Sequence, residues 1–322
     1  SEVARQAKPE WKPEVTISGS TQYLGVKPYG MDRFDQLFTD RQLVALATLS
    51  DLVRDVRKRV EQDALAAAMQ SDGSSGGEAA AAYGDAVGVY LAFALSKLLD
   101  RCCTLVTWFP ERDSTYHVFG RQALPMTWDF AETNVLTNGS GSYFNAVVWE
   151  AEVVEALNAG VQAVAEQVGA QVQTTSNGKI VSTDPPYYDN VPYADLSDFF
   201  YVWLRRALQS VFPDLFSTLA VPKAEELVAF AYRHDGKAGA EAFFLSGMTQ
   251  AMHRLAAQAH SAFPVTIYYA FKQAETDLVE GRASTGWETF LDAVIRAGFA
   301  VSGTWPMRTE LGNRLRNLGS NA

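Results

Sequence analysis

Two consecutive prolines constrain this chain more than any other feature. Pro185 and Pro186 directly follow a β-branched run, Lys179, Ile180, Val181, Ser182 and Thr183, with Asp184 between. The run reads as a buried strand. Proline lacks an N–H and has a fixed φ, so neither residue continues a central ladder. The strand is therefore expected to stop abruptly, leaving free carbonyls between the Asp184 carboxylate and the ring of Tyr187. In open α/β sheets, ligands bind at that carboxyl edge.

An acid, a free carbonyl and a ring together suit a planar, amine-bearing base. The Asp184 carboxylate can accept one N–H of an exocyclic amino group and the Pro185 carbonyl the other, while Tyr187 stacks on the ring face. Two acceptors would draw the nitrogen towards tetrahedral geometry and free its lone pair to attack an electrophilic methyl group. A base inside a duplex cannot reach such a pocket, so it must be flipped out or already unpaired. No metal is required.

Asp184-Pro185-Pro186-Tyr187 resembles the catalytic motif of the amino-group DNA methyltransferases, in which the form with Asp first leans towards adenine N6. The longer run TDPPYYDNVPYADLSDFFYVWLRR, residues 183–206, is similar to a group of large adenine-specific DNA methylases. These carry an amino-terminal domain of unknown function and sit in phage-defence clusters. The likeness extends to FGRQALPMTWDFAE (residues 119–132) and GTWPMRTELGNRLR (residues 303–316). It implies an α/β, Rossmann-like S-adenosylmethionine-dependent methyltransferase sheet, incomplete here, with a mainly helical N-terminal region. The implied partners are DNA and other subunits of a defence or modification system, and the implied catalytic residues are Asp184, Pro185, Pro186 and Tyr187. Cytosine N4, adenine in RNA, and a non-catalytic nucleic-acid-binding subunit stand as alternatives.

Composition narrows the rest. Within 322 residues, 48% are hydrophobic and 20% charged, which describes a folded chain with a sizeable core. A net charge of −10 argues against a non-specific nucleic-acid coat, though not against a local basic surface. Cys102 and Cys103 supply neither a disulfide framework nor a zinc site and fit a reducing cytoplasm. The most apolar run, residues 86–99, is short for a bilayer and contains Lys97, so no membrane partner is expected.

Residues 1–30 read as an extended arm, residues 31–170 as a mainly helical region with possible target recognition, and residues 171–322 as the catalytic portion. Thr39 caps a helix from Asp40 into the sixties, with Leu43, Leu46, Ala47, Leu49, Val53, Val56 and Val60 on one face. Arg54, Arg57, Lys58 and Arg59 lie on or near the other face, along a DNA backbone or simply in solvent. Further helices are expected at 79–101, 143–168, from Asp195 or Ser197 to 211, at 242–262 and at 285–297. Strands are expected at 171–173, 264–271 and 299–305, and a surface excursion at 215–240.

The loop residues Tyr188, Asp189, Asn190 and Tyr193 form a second tier of substrate-binding candidates. Trp128 and Asp129 either line the pocket or build a structural loop, and Arg308, Arg314 and Arg316 are candidates for phosphate or the donor's carboxylate. The donor site is the weak point of the resemblance. Its Gly-rich turn has no match, because the Gly-Ser loop at 138–142 follows no convincing strand. The chain is therefore expected to be a fragment of a longer protein.

Overall fold

The first long helix, α1 (Asp40–Ala66), begins where the sequence places it. The Thr39 hydroxyl accepts from the Gln42 amide (3.3 Å) and the Gln42 side chain accepts from the Thr39 amide (2.8 Å), a reciprocal cap. Leu43, Leu46 and Val53 are buried and Val56 is exposed, but burial resumes beyond it at half-buried Val60 and buried Ala64. The computed structural model describes residues 8–67, 76–157, 163–272, 285–307 and 320–321. They fall into two units: Ser1–Val164 with Ala194–Val221, and Ala165–Tyr193 with Pro222–Ala322.

In the first unit α1 packs on α2 (Gly76–Leu99) through glycine. A Cβ on Gly84 would lie 2.8 Å from the Arg57 carbonyl oxygen, and one on Gly88 would make ordinary contact at 3.4 Å with the Arg57 side chain. Gly84→Ala should therefore lower the melting temperature, because overpacking costs about 1–3 kcal/mol against a gain of about 1 kcal/mol in helix propensity. Gly88→Ala, free of the backbone clash, should be neutral or stabilising in the same thermal melts. On the basic face of α1, Arg54 pairs with Asp51 and Arg57 with Asp85, whereas Lys58 is exposed and Arg59 lies 4.0 Å from an equally exposed Asp63.

Residues 8–30, read from sequence as an arm, supply buried Ile17, Tyr23, Leu24 and Val26 to this unit. A two-residue hairpin, β1 (Trp108–Phe109) with β2 (Ser114–Thr115), follows α2. Helix α3 (Tyr143–Ala156) is capped by the Ser142 hydroxyl and stops at Leu157, whose ψ of 130° is extended. Residues 163–168 are not helical, so the helix expected to 168 is shorter than its valine content suggested. Helix α4 (Tyr193–Leu208) starts before the expected caps. Asp195 instead lies buried in its first turn, accepting a bond from the Ser18 hydroxyl (2.7 Å), and buried Asp198 accepts from the Val221 amide (2.7 Å). Trp203, fully buried, meets Phe38 and Trp11 edge-to-face.

The second unit contains β3 (Ser182–Thr183) parallel to β4 (Thr266–Ile267), and β5 (Phe271–Lys272) antiparallel to β6 (Ser320–Asn321). Its core is formed by α5 (Gly236–Gln258) and α6 (Thr285–Arg296), with Phe244, Met248 and Met252 against Phe290, Ala293 and Val294. Gly298 ends α6 at φ +91°, a conformation glycine adopts without steric cost. Four expectations are corrected in this unit. The run 179–183, expected as a buried strand, pairs only at Ser182–Thr183, with Val181 buried and Ile180 exposed. Residues 171–173 form a turn closed by two bonds to the Gly169 carbonyl, residues 299–305 are irregular, and the strand expected over 264–271 is two short pieces. The excursion at 215–240 also carries a buried run, Leu227, Val228, Ala229 and Phe230. The architecture is mixed α and β, with a helical region and few strands.

Among the described residues, α2 is the one helix long and apolar enough to cross a membrane by length and composition, a wider span than the run at 86–99. Its Ala92, Leu95, Leu98 and Leu99 are buried within the first unit. Cys102 and Cys103, just beyond it, are also buried, and burial pushes the Cys102 thiol up from 9.0 to about 12, with the Glu132 charge adding to the shift. Below pH 9 both folded and unfolded states keep the proton, and above it the unfolded chain releases a proton that the native chain holds. Stability should fall as pH rises from 9 towards 12, read as a falling melting temperature. Native protein at neutral pH should leave both thiols unmodified by a disulfide reagent until denaturant is added.

Candidate functional site

Among the described residues β3 makes one short pairing, with β4, before it ends. The Val181 and Thr183 carbonyls accept from the Thr266 and Tyr268 amides (3.1 and 2.8 Å). The chain then leaves the ladder at Asp184, as two residues without N–H require. Pro185 is buried, Pro186 and Tyr187 are half-buried, and Asp184 is exposed at the strand's carboxyl end.

Beyond the prolines the chain reverses in a tight turn. The Asn190 amide donates to the Tyr187 carbonyl (2.8 Å), and Tyr188 inside that turn has φ +32°. This left-handed conformation is unusual for a bulky residue and needs support from its surroundings. The Tyr188 carbonyl accepts from the Ala229 amide (2.8 Å), and its ring meets Phe244 edge-to-face (5.0 Å). Gly286 allows that ring's close approach, since a Cβ there would lie 3.1 Å from the Tyr188 side chain. Tyr188 is thus an anchor in the α5–α6 core, whereas Tyr187 faces the strand end.

Around Tyr187 the structure gathers an acid and two more tyrosines. Its hydroxyl is hydrogen-bonded to Asp184, and burial, that bond and the carboxylate charge push the phenol up to about 12. The Tyr193 hydroxyl lies at the Tyr187 amide; burial and then the Asp184 charge raise this phenol too. The Tyr269 ring meets Tyr187 edge-to-face (5.8 Å, 83°) and stacks flat on Phe290 (4.0 Å, 8°). All three phenols are held protonated, able to donate hydrogen bonds at neutral pH. Burial, and then the Asp189 charge, raise the Tyr269 phenol as well.

The sequence candidates divide accordingly. Asp184, Pro185, Pro186, Tyr187, Tyr188, Asp189, Asn190 and Tyr193 are contiguous in the second unit. Trp128 and Asp129 belong to the first unit, both exposed, with Trp128 edge-to-face against Tyr29 (5.1 Å). Arg308, Arg314 and Arg316 lie outside the described residues. Sequence reasoning missed Tyr269, although a signal was present: Ile267 and Tyr269 alternate along β4 and beyond it, and both pack on the α5–α6 core.

The donor expected from the resemblance, S-adenosylmethionine, finds no cradle in the Gly-Ser loop at 138–142. A Cβ on Gly141 would meet the Thr133 hydroxyl at 3.1 Å and the Thr115 hydroxyl at 3.4 Å, so its own unit already fills that space. Ser142 is committed to capping α3. Compared with protein-family models, curated proteins and solved structures, the chain gives no match.

Proposed function

We propose that the Asp184–Tyr187 strand tip is the target-base seat of an amino-group DNA methyltransferase acting on adenine N6. One observation carries the reading: a proline-ended strand leaves an exposed carboxylate beside a tyrosine ring at the sheet's carboxyl edge. An exocyclic amine entering there would exchange with the Tyr187 hydroxyl for the Asp184 oxygen and donate its second N–H to the Pro185 carbonyl. The Tyr187 ring would then lie along the base, which must be unpaired to enter. β3 and β4 are read as two parallel strands of a Rossmann-like methyltransferase sheet. S-adenosylmethionine is the donor this reading requires, and the residues at 138–142 do not fit it, so the donor's contacts are assigned elsewhere. DNA is the proposed partner, together with other subunits of a modification or defence system, in the cytoplasm.

The filled space at Gly141 favours a second reading, a non-catalytic subunit that binds an unpaired base without a donor. Labelled methyl transfer to DNA by the full natural protein separates the two. Transfer that disappears in the Asp184→Ala variant supports the enzyme. Equal labelling by wild type and variant removes the site assignment, and base binding without any transfer leaves the second reading.

A further inference from the structure

Tyr269 has no place in the motif, yet two of its contacts reach the loop that holds Tyr187 and two reach α6. Its ring stacks on Phe290 of α6 at 4.0 Å with an interplanar angle of 8°. Its edge-to-face contact with Tyr187, at 83°, restricts the tilt of that ring. Its hydroxyl accepts from the Tyr188 amide and lies 3.5 Å from the Gly286 carbonyl, joining the turn to the start of α6. Phe290 is itself buried in the α5–α6 core. An unbroken run of rings therefore leads from the core, through Tyr269, to the half-buried Tyr187.

We propose that Tyr269 is a positioning residue that fixes the plane of the Tyr187 ring, and so the plane in which a base stacks, without touching the base itself. The inference rests on reading Asp184 and Tyr187 as a base seat. A flat aromatic stack transmits the rigidity of a packed core, and base–aromatic stacking depends on the presented plane. A tyrosine on a loop without such a wall would sample several rotamers and lose orientation on binding.

The test uses the full chain and a single-stranded oligonucleotide carrying 2-aminopurine, whose fluorescence falls when the base stacks on an aromatic ring. Wild type should quench it at saturation and Tyr187→Ala should not. Tyr269→Phe keeps the ring contacts and loses the hydroxyl bonds, so it should fold with a slightly lowered melt and bind roughly three- to tenfold more weakly. Tyr269→Leu removes the wall and should lose most of the saturating quench, a signal that reports geometry rather than stability. Tyr269 variants that match wild type in affinity and saturating quench, while Tyr187→Ala fails to quench, overturn the positioning role and leave the seat intact. Equal quenching by wild type and Tyr187→Ala removes the seat and the inference with it.

Discussion

Trp203→Ala should destabilise the first unit by about 3–5 kcal/mol, the range for deleting a large buried aromatic. The side chain is fully buried, with Phe38 and Trp11 edge-to-face at 5.5 and 5.3 Å, and Phe38 in turn stacked on Phe199 at 5.9 Å. Removing it leaves a cavity that three rigid rings cannot collapse to fill. At roughly 2–4 °C per kcal/mol for a unit of this size, the melting temperature should drop by about 10 °C. The indole N–H supplies an internal control, because it is buried with no hydrogen-bond partner among the described residues. An unpartnered buried donor costs about 1–3 kcal/mol, so Trp203→Phe recovers part of the lost packing by removing that donor. The phenylalanine variant should therefore melt much closer to wild type than the alanine variant does. Equal losses for both would mean that the indole's volume alone decides the site.

On the proposed methyltransferase reading, Asp184→Ala should reduce methyl transfer by about 10²–10⁴-fold, the scale on which one positioned polar group acts in catalysis. Asp184→Asn, which keeps an acceptor oxygen but loses the charge, should fall between wild type and alanine. Neither change should move the melt appreciably. The side chain is exposed, so its removal opens no cavity, and the prolines that end β3 are untouched. A variant that loses both transfer and stability would instead mark Asp184 as a residue of the fold. The methyl-transfer assay and a thermal scan on the same preparations read the difference.

How much of the fold and site was legible in the sequence depended on how local each signal is. Helix α1 was readable because Thr39 and Gln42 cap each other within four residues, and α6 because Gly298 follows its last turn. The break after Thr183 was readable because two prolines forbid any other outcome. Residues 299–305 carried the composition of a strand, but a strand needs a partner that composition cannot name. The valine-rich stretch to 168 kept a helical period past Ala156, where the chain turns extended at Leu157. At the site, Asp184 and Tyr187 were visible as a motif, whereas Tyr269 joins them across more than eighty positions through parallel pairing of β3 with β4. Tyr188 looked like its neighbour in sequence and was separated from it only by its left-handed backbone.

The paired arginines of α1 bear on how a polyanion would feel this molecule. Phosphate binding gains most of its free energy from counterions released as cations replace them along the strand, and the salt slope counts those replacements. Guanidinium groups that already face Asp51 and Asp85, those of Arg54 and Arg57, have less left to exchange than exposed Lys58 and Arg59. Any salt dependence that α1 gives to nucleic-acid binding would thus come chiefly from Lys58 and Arg59, two charges rather than four.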